Sequence, residues 1–141
     1  MKLNFNKLMK NSEKLLIYAL PTITKNHLGI NINEFDDQTE ILIYKSKVCS
    51  VKLTIYSDVD TVGFISSLFV DEDYRCKKNG TLLLFVCEAI AKTLNLKILS
   101  LYVEKDSFMH RWYNRLGFVD YMTNSSDPNL IELINIRHTD G

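Results

Sequence analysis

The sequence predicts a mixed α/β domain: one sheet that opens as an antiparallel meander, continues as strand–helix units, and carries helices on both faces. Three observations predict it. From residue 40 to 70, short apolar stretches alternate or run unbroken between turn residues, as strands do. From 81 to 94 the apolar period lengthens to that of a helix with one buried stripe. Beyond 94, strand-like and helix-like stretches interleave, which suits a single sheet with packed helices.

The elements follow in order. Leu8, Leu15, Leu16 and Tyr18 suggest a helix from Asn6 to Leu20, ended by Pro21. A second short helix is expected from about Thr22 to Leu28, with Gly29 as its stop. Ile41 to Tyr44 reads as a strand, followed by the turn Lys45-Ser46-Lys47. Val48 to Tyr56 sets Val51, Leu53 and Ile55 against Lys52 and Thr54, a half-exposed strand. After the turn Ser57-Asp58, Val62 to Val70 gives the third strand of the meander. Thr81 to Leu94 is a helix with Leu83, Leu84, Cys87, Ile90, Ala91 and Leu94 on its stripe, bounded by Gly80 and Asn95. A strand at Lys97 to Val103 and a helix at about Ser107 to Leu116 come next, with Gly117 as helix stop. Phe118 to Met122 and Leu130 to Ile136 close the sheet around the polar turn Asn124 to Asn129.

At 141 residues without repeat, low-complexity tract or linker, residues 1–141 are expected to form one domain. Seventeen basic and seventeen acidic side chains cancel, so there is no general basic field and no nucleic-acid partner is expected. The three cysteines, Cys49, Cys76 and Cys87, are odd in number and lack metal-ligand spacing. Free thiols in a reducing compartment are expected, with no metal site. The apolar stretch Leu15 to Leu20 is too short for a signal peptide or a membrane span, so a cytoplasmic protein without membrane contact is expected. Oligomeric state is open, a homodimer included.

The segment Tyr74-Arg75-Cys76-Lys77-Lys78-Asn79-Gly80-Thr81 joins the third strand to the long helix. It opens onto a helix N-terminus, whose unpaired N–H groups and dipole attract anions. Gly80 permits close backbone approach, and Arg75, Lys77 and Lys78 add positive charge. A solvated basic turn is the competing reading, and the GxxxxGK[ST] pattern of a P-loop is absent.

Leu68-Phe69-Val70, followed by Tyr74-Arg75 and by Gly80-Thr81-Leu82-Leu83, resembles the acetyl-CoA signature of the GNAT N-acetyltransferases, Gln/Arg-x-x-Gly-x-Gly/Ala. Arg75 and Gly80 match its first and last positions, while Lys78 stands where the family has its middle glycine. Trp112-Tyr113-Asn114-Arg115-Leu116-Gly117-Phe118 resembles the family's second hallmark, a helix ending in Tyr-x-x-x-Gly-Phe. Leu101-Tyr102-Val103 resembles the fifth strand, which splays from the fourth. The resemblance covers about Glu40 to Ile136.

The resemblance implies an acetyl-CoA-dependent N-acetyltransferase acting by direct attack of a primary amine, on a small molecule or a protein. Pantetheine would pair with the Leu68-Phe69-Val70 backbone. The pyrophosphate would sit on the loop from Arg75 through Cys76, Lys77, Lys78, Asn79, Gly80 and Thr81. Asp106 stands where family members often carry an asparagine that contacts pantetheine. Tyr113 would be the general acid, against the competing role of a packed aromatic, and a backbone N–H near Phe69 or Val70 the oxyanion contact. No general base is evident. Ser66 and Ser67 stand where some members place a carboxylate, and Tyr102, Glu104 and His110 are the other candidates, Tyr102 as a base or a residue that orders water. The acidic stretch Glu34, Asp36, Asp37 and Glu40 reads better as a solvated loop than as an amine attractor. The alternative function is a non-catalytic GNAT-like acyl-CoA-binding or regulatory module.

Overall fold

The computed structural model describes residues 20–75 and 77–136. The first described element is helix α1, Leu20–Lys25. The expected helix from Asn6 lies outside the described residues, apart from Leu20. Pro21 lies within α1. It occupies the first turn of α1, where its missing N–H has no intrahelical partner to lose. The helix stop is His27, not Gly29. His27 takes φ +56°, Leu28 N–H bonds Ile23 O at 2.9 Å, and His27 N–H bonds Thr24 O at 3.2 Å. This paired closure uses the last free carbonyls of the helix.

Gly29 instead begins a strand that the sequence reading passed over, β1 (Gly29–Glu34). Its two isoleucines alternate with asparagines, too weak an apolar signal to register. β1 forms one edge of the sheet and pairs antiparallel with β2, Gln38–Lys45. β2 pairs with β3, Cys49–Tyr56, which pairs with β4, Val62–Val70, so the meander has four strands, not three.

A short 3₁₀ turn, Glu72–Tyr74, leads to helix α2, Asn79–Thr93, and the chain returns as β5, Ile98–Glu104, parallel to β4. The crossover helix is what a parallel pair requires. Helix α3, Phe108–Arg115, starts on the Ser107 cap, whose hydroxyl accepts from His110 N–H at 3.1 Å. The closing strands are β6, Val119–Thr123, and β7, Leu130–Ile136. The seven strands lie in one mixed sheet, ordered β1-β2-β3-β4-β5-β7-β6, as the predicted fold class requires.

Alternation decides which face is buried. Ile41 and Ile43, Val51, Leu53 and Ile55, Ile65, Leu99 and Leu101, and Leu133 share the covered face. Against them α2 sets Leu83, Val86, Cys87, Ile90 and Ala91, all essentially without exposure. α2 packs over β2, β3 and β4, and α3 over β5. That arrangement fixes the N-termini of both helices relative to the end of β4.

Candidate active site

β4 and β5 are hydrogen-bonded neighbours only where Val62, Gly63 and Phe64 meet Ile98, Leu99 and Ser100. Beyond that rung the two strands part. β4 continues to Val70 paired only with β3, and the edge that faced β5 is left without a strand partner. The cause is local. Between Ser50↔Phe69 and Lys52↔Ser66, β3 spends one residue where β4 spends two, a bulge containing Ser67 at φ +54°. A bulge bends and twists its strand, here away from β5.

At the open end of β4 lies a cleft of about 510 Å³. Leu68, Phe69 and Val70 form its sheet side. Tyr74, Arg75, Lys78, Asn79, Gly80 and Thr81 form the loop and helix side, and Phe108, Met109 and Trp112 on α3 close it. The first turn of α2 opens into this cleft with no side-chain cap on it. Backbone donors at a helix N-terminus therefore meet an unpaired strand edge and a cationic loop in one place.

Within the loop the basic side chains differ in what they do. Arg75 Nε donates to Val70 O at 3.1 Å, tying the loop to the end of β4 and leaving the rest of its guanidinium exposed. Asn79 Nδ2 donates to Tyr74 O at 2.9 Å, a second tie. Lys77 does not line the cleft, its ammonium lying 5.7 Å from the centre of the Tyr74 ring. Lys78 lines the cleft at φ +63°, the conformation that favours glycine. For a side chain this costs about 1–2 kcal/mol. Gly80 has its own reason to be small, because a Cβ there would stand 3.2 Å from the Trp112 ring. Cys76 lies outside the described residues.

Tyr74, Phe108, Met109 and Trp112 line the cleft without having been singled out as ligand contacts. The available signal was the pair Phe108 and Trp112, four residues apart on one helix face next to an N-cap. Phe108 is exposed despite its size.

Tyr113 is not part of the cleft lining. It is buried, edge-on to Trp112 at 5.0 Å and to Phe118 at 5.6 Å. Burial, with a smaller effect of the nearby Cys87, pushes its phenol up to about 12, so it stays protonated at neutral pH. Tyr102 points to the other face of β5, half exposed, with Glu104 beside it. Asp106 also lies off the cleft. At φ +63° its N–H donates to His110 Nδ1 at 2.9 Å, and its carbonyl accepts from Arg111 at 2.9 Å. His110 Nδ1 thus accepts, and Nε2 faces Asp120 Oδ1 at 2.8 Å. With both ring nitrogens engaged, the buried His110 is a fastener and not a free base. It joins the turn before α3 to β6.

Among the described residues, no group of three or more His, Cys, Asp or Glu is arranged to hold a metal, and no helix is long and apolar enough to cross a membrane.

A seven-stranded mixed sheet whose one parallel pair splays beside a helix N-terminus defines the class of α/β fold. The model of the acetyltransferase (GNAT) family matches residues 33–118, and the chain belongs to that family. No curated protein matches the chain. Solved structures share the fold at low identity. PaiA N-acetyltransferase from Thermoplasma acidophilum, in complex with coenzyme A, is 20% identical at a TM-score of 0.59, over 72% of this chain and 62% of that one. Ard1 from Thermoplasma volcanium is 22% identical at 0.57, over 69% of each chain. A Bacillus anthracis protein solved with acetyl coenzyme A is 16% identical at 0.58, over 74% of this chain and 65% of that one. The chain thus spans less than two thirds of the first and third of these relatives.

Proposed function

We propose that the chain is an acetyl-CoA-dependent N-acetyltransferase that transfers acetyl to a primary amine of a small molecule or a protein by direct attack. The observation that carries this reading is the cleft, where the unpaired edge of β4, the uncapped N-terminus of α2 and the basic loop converge. An extended pantetheine arm fits the stretch of β4 along Leu68, Phe69 and Val70 that has no strand partner on the β5 side, Val70 O being already engaged by Arg75. A pyrophosphate fits the first turn of α2, with Asn79, Gly80 and Thr81 supplying backbone and Arg75 and Lys78 supplying charge. Lys77 and Cys76 remain proposed phosphate-loop contacts by position, and Asp106 a pantetheine contact. Family membership and the two relatives solved with coenzyme A or its acetyl ester support the same ligand.

Bound acetyl-CoA would supply a thioester, whose C–S bond breaks as the amine nitrogen bonds to the acyl carbon. Tyr113 is the proposed proton source for the departing sulfur. Its phenol is protonated across the physiological range and lies against Trp112, which lines the cleft. Tyr102 keeps a proposed role at the acceptor side, ordering water or taking a proton. The free, buried Cys49 and Cys87 fit a reducing, cytoplasmic setting.

The second reading, a non-catalytic acyl-CoA-binding or regulatory module, draws on the same cleft and on the separation of Tyr113 from its lining. Thiol release with a panel of primary amines decides between them. The enzyme reading expects amine-dependent CoA release that falls about 10²-fold in Tyr113→Phe, with acetyl-CoA affinity kept. Acetyl-CoA binding without turnover of any amine supports the module.

A further inference from the structure

The face of the sheet opposite α2 holds an arrangement that the donor cleft does not use. On this face β5 presents Ser100, Tyr102 and Glu104, and β7 sets Ile134, Glu132 and Leu130 directly across from them. Phe64 and Ser100 form the last rung that joins β4 to β5, so Ser100 marks the point where the splay begins. Ser100 is only 1% exposed, and its hydroxyl donates to Glu132 Oε2. Glu132 stands opposite Tyr102, yet this hydrogen bond draws its carboxylate diagonally along β5 to the apex of the splay.

The carboxylate is half-buried, and among the described residues no lysine or arginine forms an ion pair with it. A half-buried carboxylate with no cation paired to it among the described residues gains from one that a ligand brings. Its flanks are apolar and open. Tyr102 is 50% exposed across the rung, and Met122 of β6, paired with Glu132 from the other side, is 60% exposed. An aromatic ring beside a carboxylate suits an ammonium carried on a hydrocarbon body.

We infer that Glu132, held by Ser100, binds the ammonium of the acceptor at the apex of the splay, and that Tyr102 and Met122 take its apolar portion. The inference rests on the acetyltransferase reading and names the acceptor class within it: a primary alkyl- or aralkylammonium with no carboxylate next to the amine. A free α-amino acid would bring its own carboxylate against Glu132 and be disfavoured.

The test is calorimetric, on the full chain, with 2-phenylethylamine and phenylalanine, which differ by one carboxylate. Wild type should bind 2-phenylethylamine about tenfold or more tightly than phenylalanine. Glu132→Gln, which keeps size and the acceptor for Ser100, should weaken 2-phenylethylamine by a similar factor with acetyl-CoA affinity unchanged. Ser100→Ala should weaken it by a smaller factor. Equal affinity for the two probes, no binding of 2-phenylethylamine at millimolar concentration, or unchanged binding in Glu132→Gln would overturn the inference. A parallel acetyl-CoA titration separates the two readings. Donor binding without Glu132-dependent amine binding sinks this inference alone. Glu132-dependent amine binding without donor binding sinks the donor reading, and overturns the role of the amine as acceptor while leaving Glu132 an ammonium site.

Discussion

Lys78 shows how a single residue can be legible in identity and illegible in consequence. Its departure from a family glycine is visible in the chain, but the cost depends on the sign of φ, which only the packed loop determines. At φ +63° the side chain is strained, and Lys78→Gly should recover about 1 kcal/mol, read as a higher urea midpoint at unchanged slope. A lower midpoint would mean that the lysine side chain makes contacts worth more than the strain. Tyr113 carries a second residue-scale prediction. Its phenol is raised from the ordinary 10 to about 12. The unfolded chain therefore releases that proton first as pH rises. The contribution of Tyr113 is constant below about pH 10 and is lost between there and about 12. Tyr113→Phe should flatten part of the alkaline loss, to which the Cys87 thiol, raised to about 12, and the Cys49 thiol, also raised by burial, contribute as well. An unchanged alkaline slope in Tyr113→Phe would contradict the burial of the phenol.

At the scale of elements, the strongly periodic stretches are found within one or two residues of their expected ends. Val62–Val70 and Leu130–Ile136 have the expected bounds, and α2 begins at Asn79 where Thr81 was expected. β1 escaped because an edge strand needs little apolar burial, and Ile30 and Ile32 alone do not outweigh the two asparagines and the glutamate that alternate with and follow them. The short helix begins at Leu20 where about Thr22 was expected, because proline is tolerated in a first turn. The fastening of α3 was also hidden, since His110, Asp106 and Asp120 are brought together by the turn and β6 rather than by helix spacing. Asp120 is held below the usual carboxylate range by its hydrogen bonds from His110 and Asn114. A depressed folded-state value means that the contribution is present at neutral pH and lost as pH falls through the acid range. Because Asp120 is largely exposed, the effect is small. Asp120→Asn, which keeps an acceptor for His110, should lose less stability than wild type between pH 7 and pH 3 in urea titrations. Equal losses would remove Asp120 from the acid limb.

At the scale of the whole molecule, the order of strands and helices was readable, and with it the place of the phosphate loop at the start of α2. The splay was readable only through family resemblance, because strand divergence depends on register. One extra residue in β4, with Ser67 at positive φ, decides where pairing with β5 stops. The same divergence separates two faces: the cleft on the side of α2 and α3, and the Ser100–Glu132 pair on the other. Which side chains meet across strands far apart in the chain, such as Ser100 and Glu132, follows from the β5–β7 register and leaves no trace in local spacing.

The central claim is that the cleft at the end of β4 takes acetyl-CoA. The most direct measurement is calorimetric titration of the full chain with acetyl-CoA, with desulfo-CoA and ATP as controls. The account predicts binding on the order of micromolar for acetyl-CoA and desulfo-CoA, and much weaker binding of ATP, which offers phosphates without a pantetheine arm for the strand edge. No binding of acetyl-CoA at millimolar concentration, or ATP binding as tight as acetyl-CoA, would contradict it.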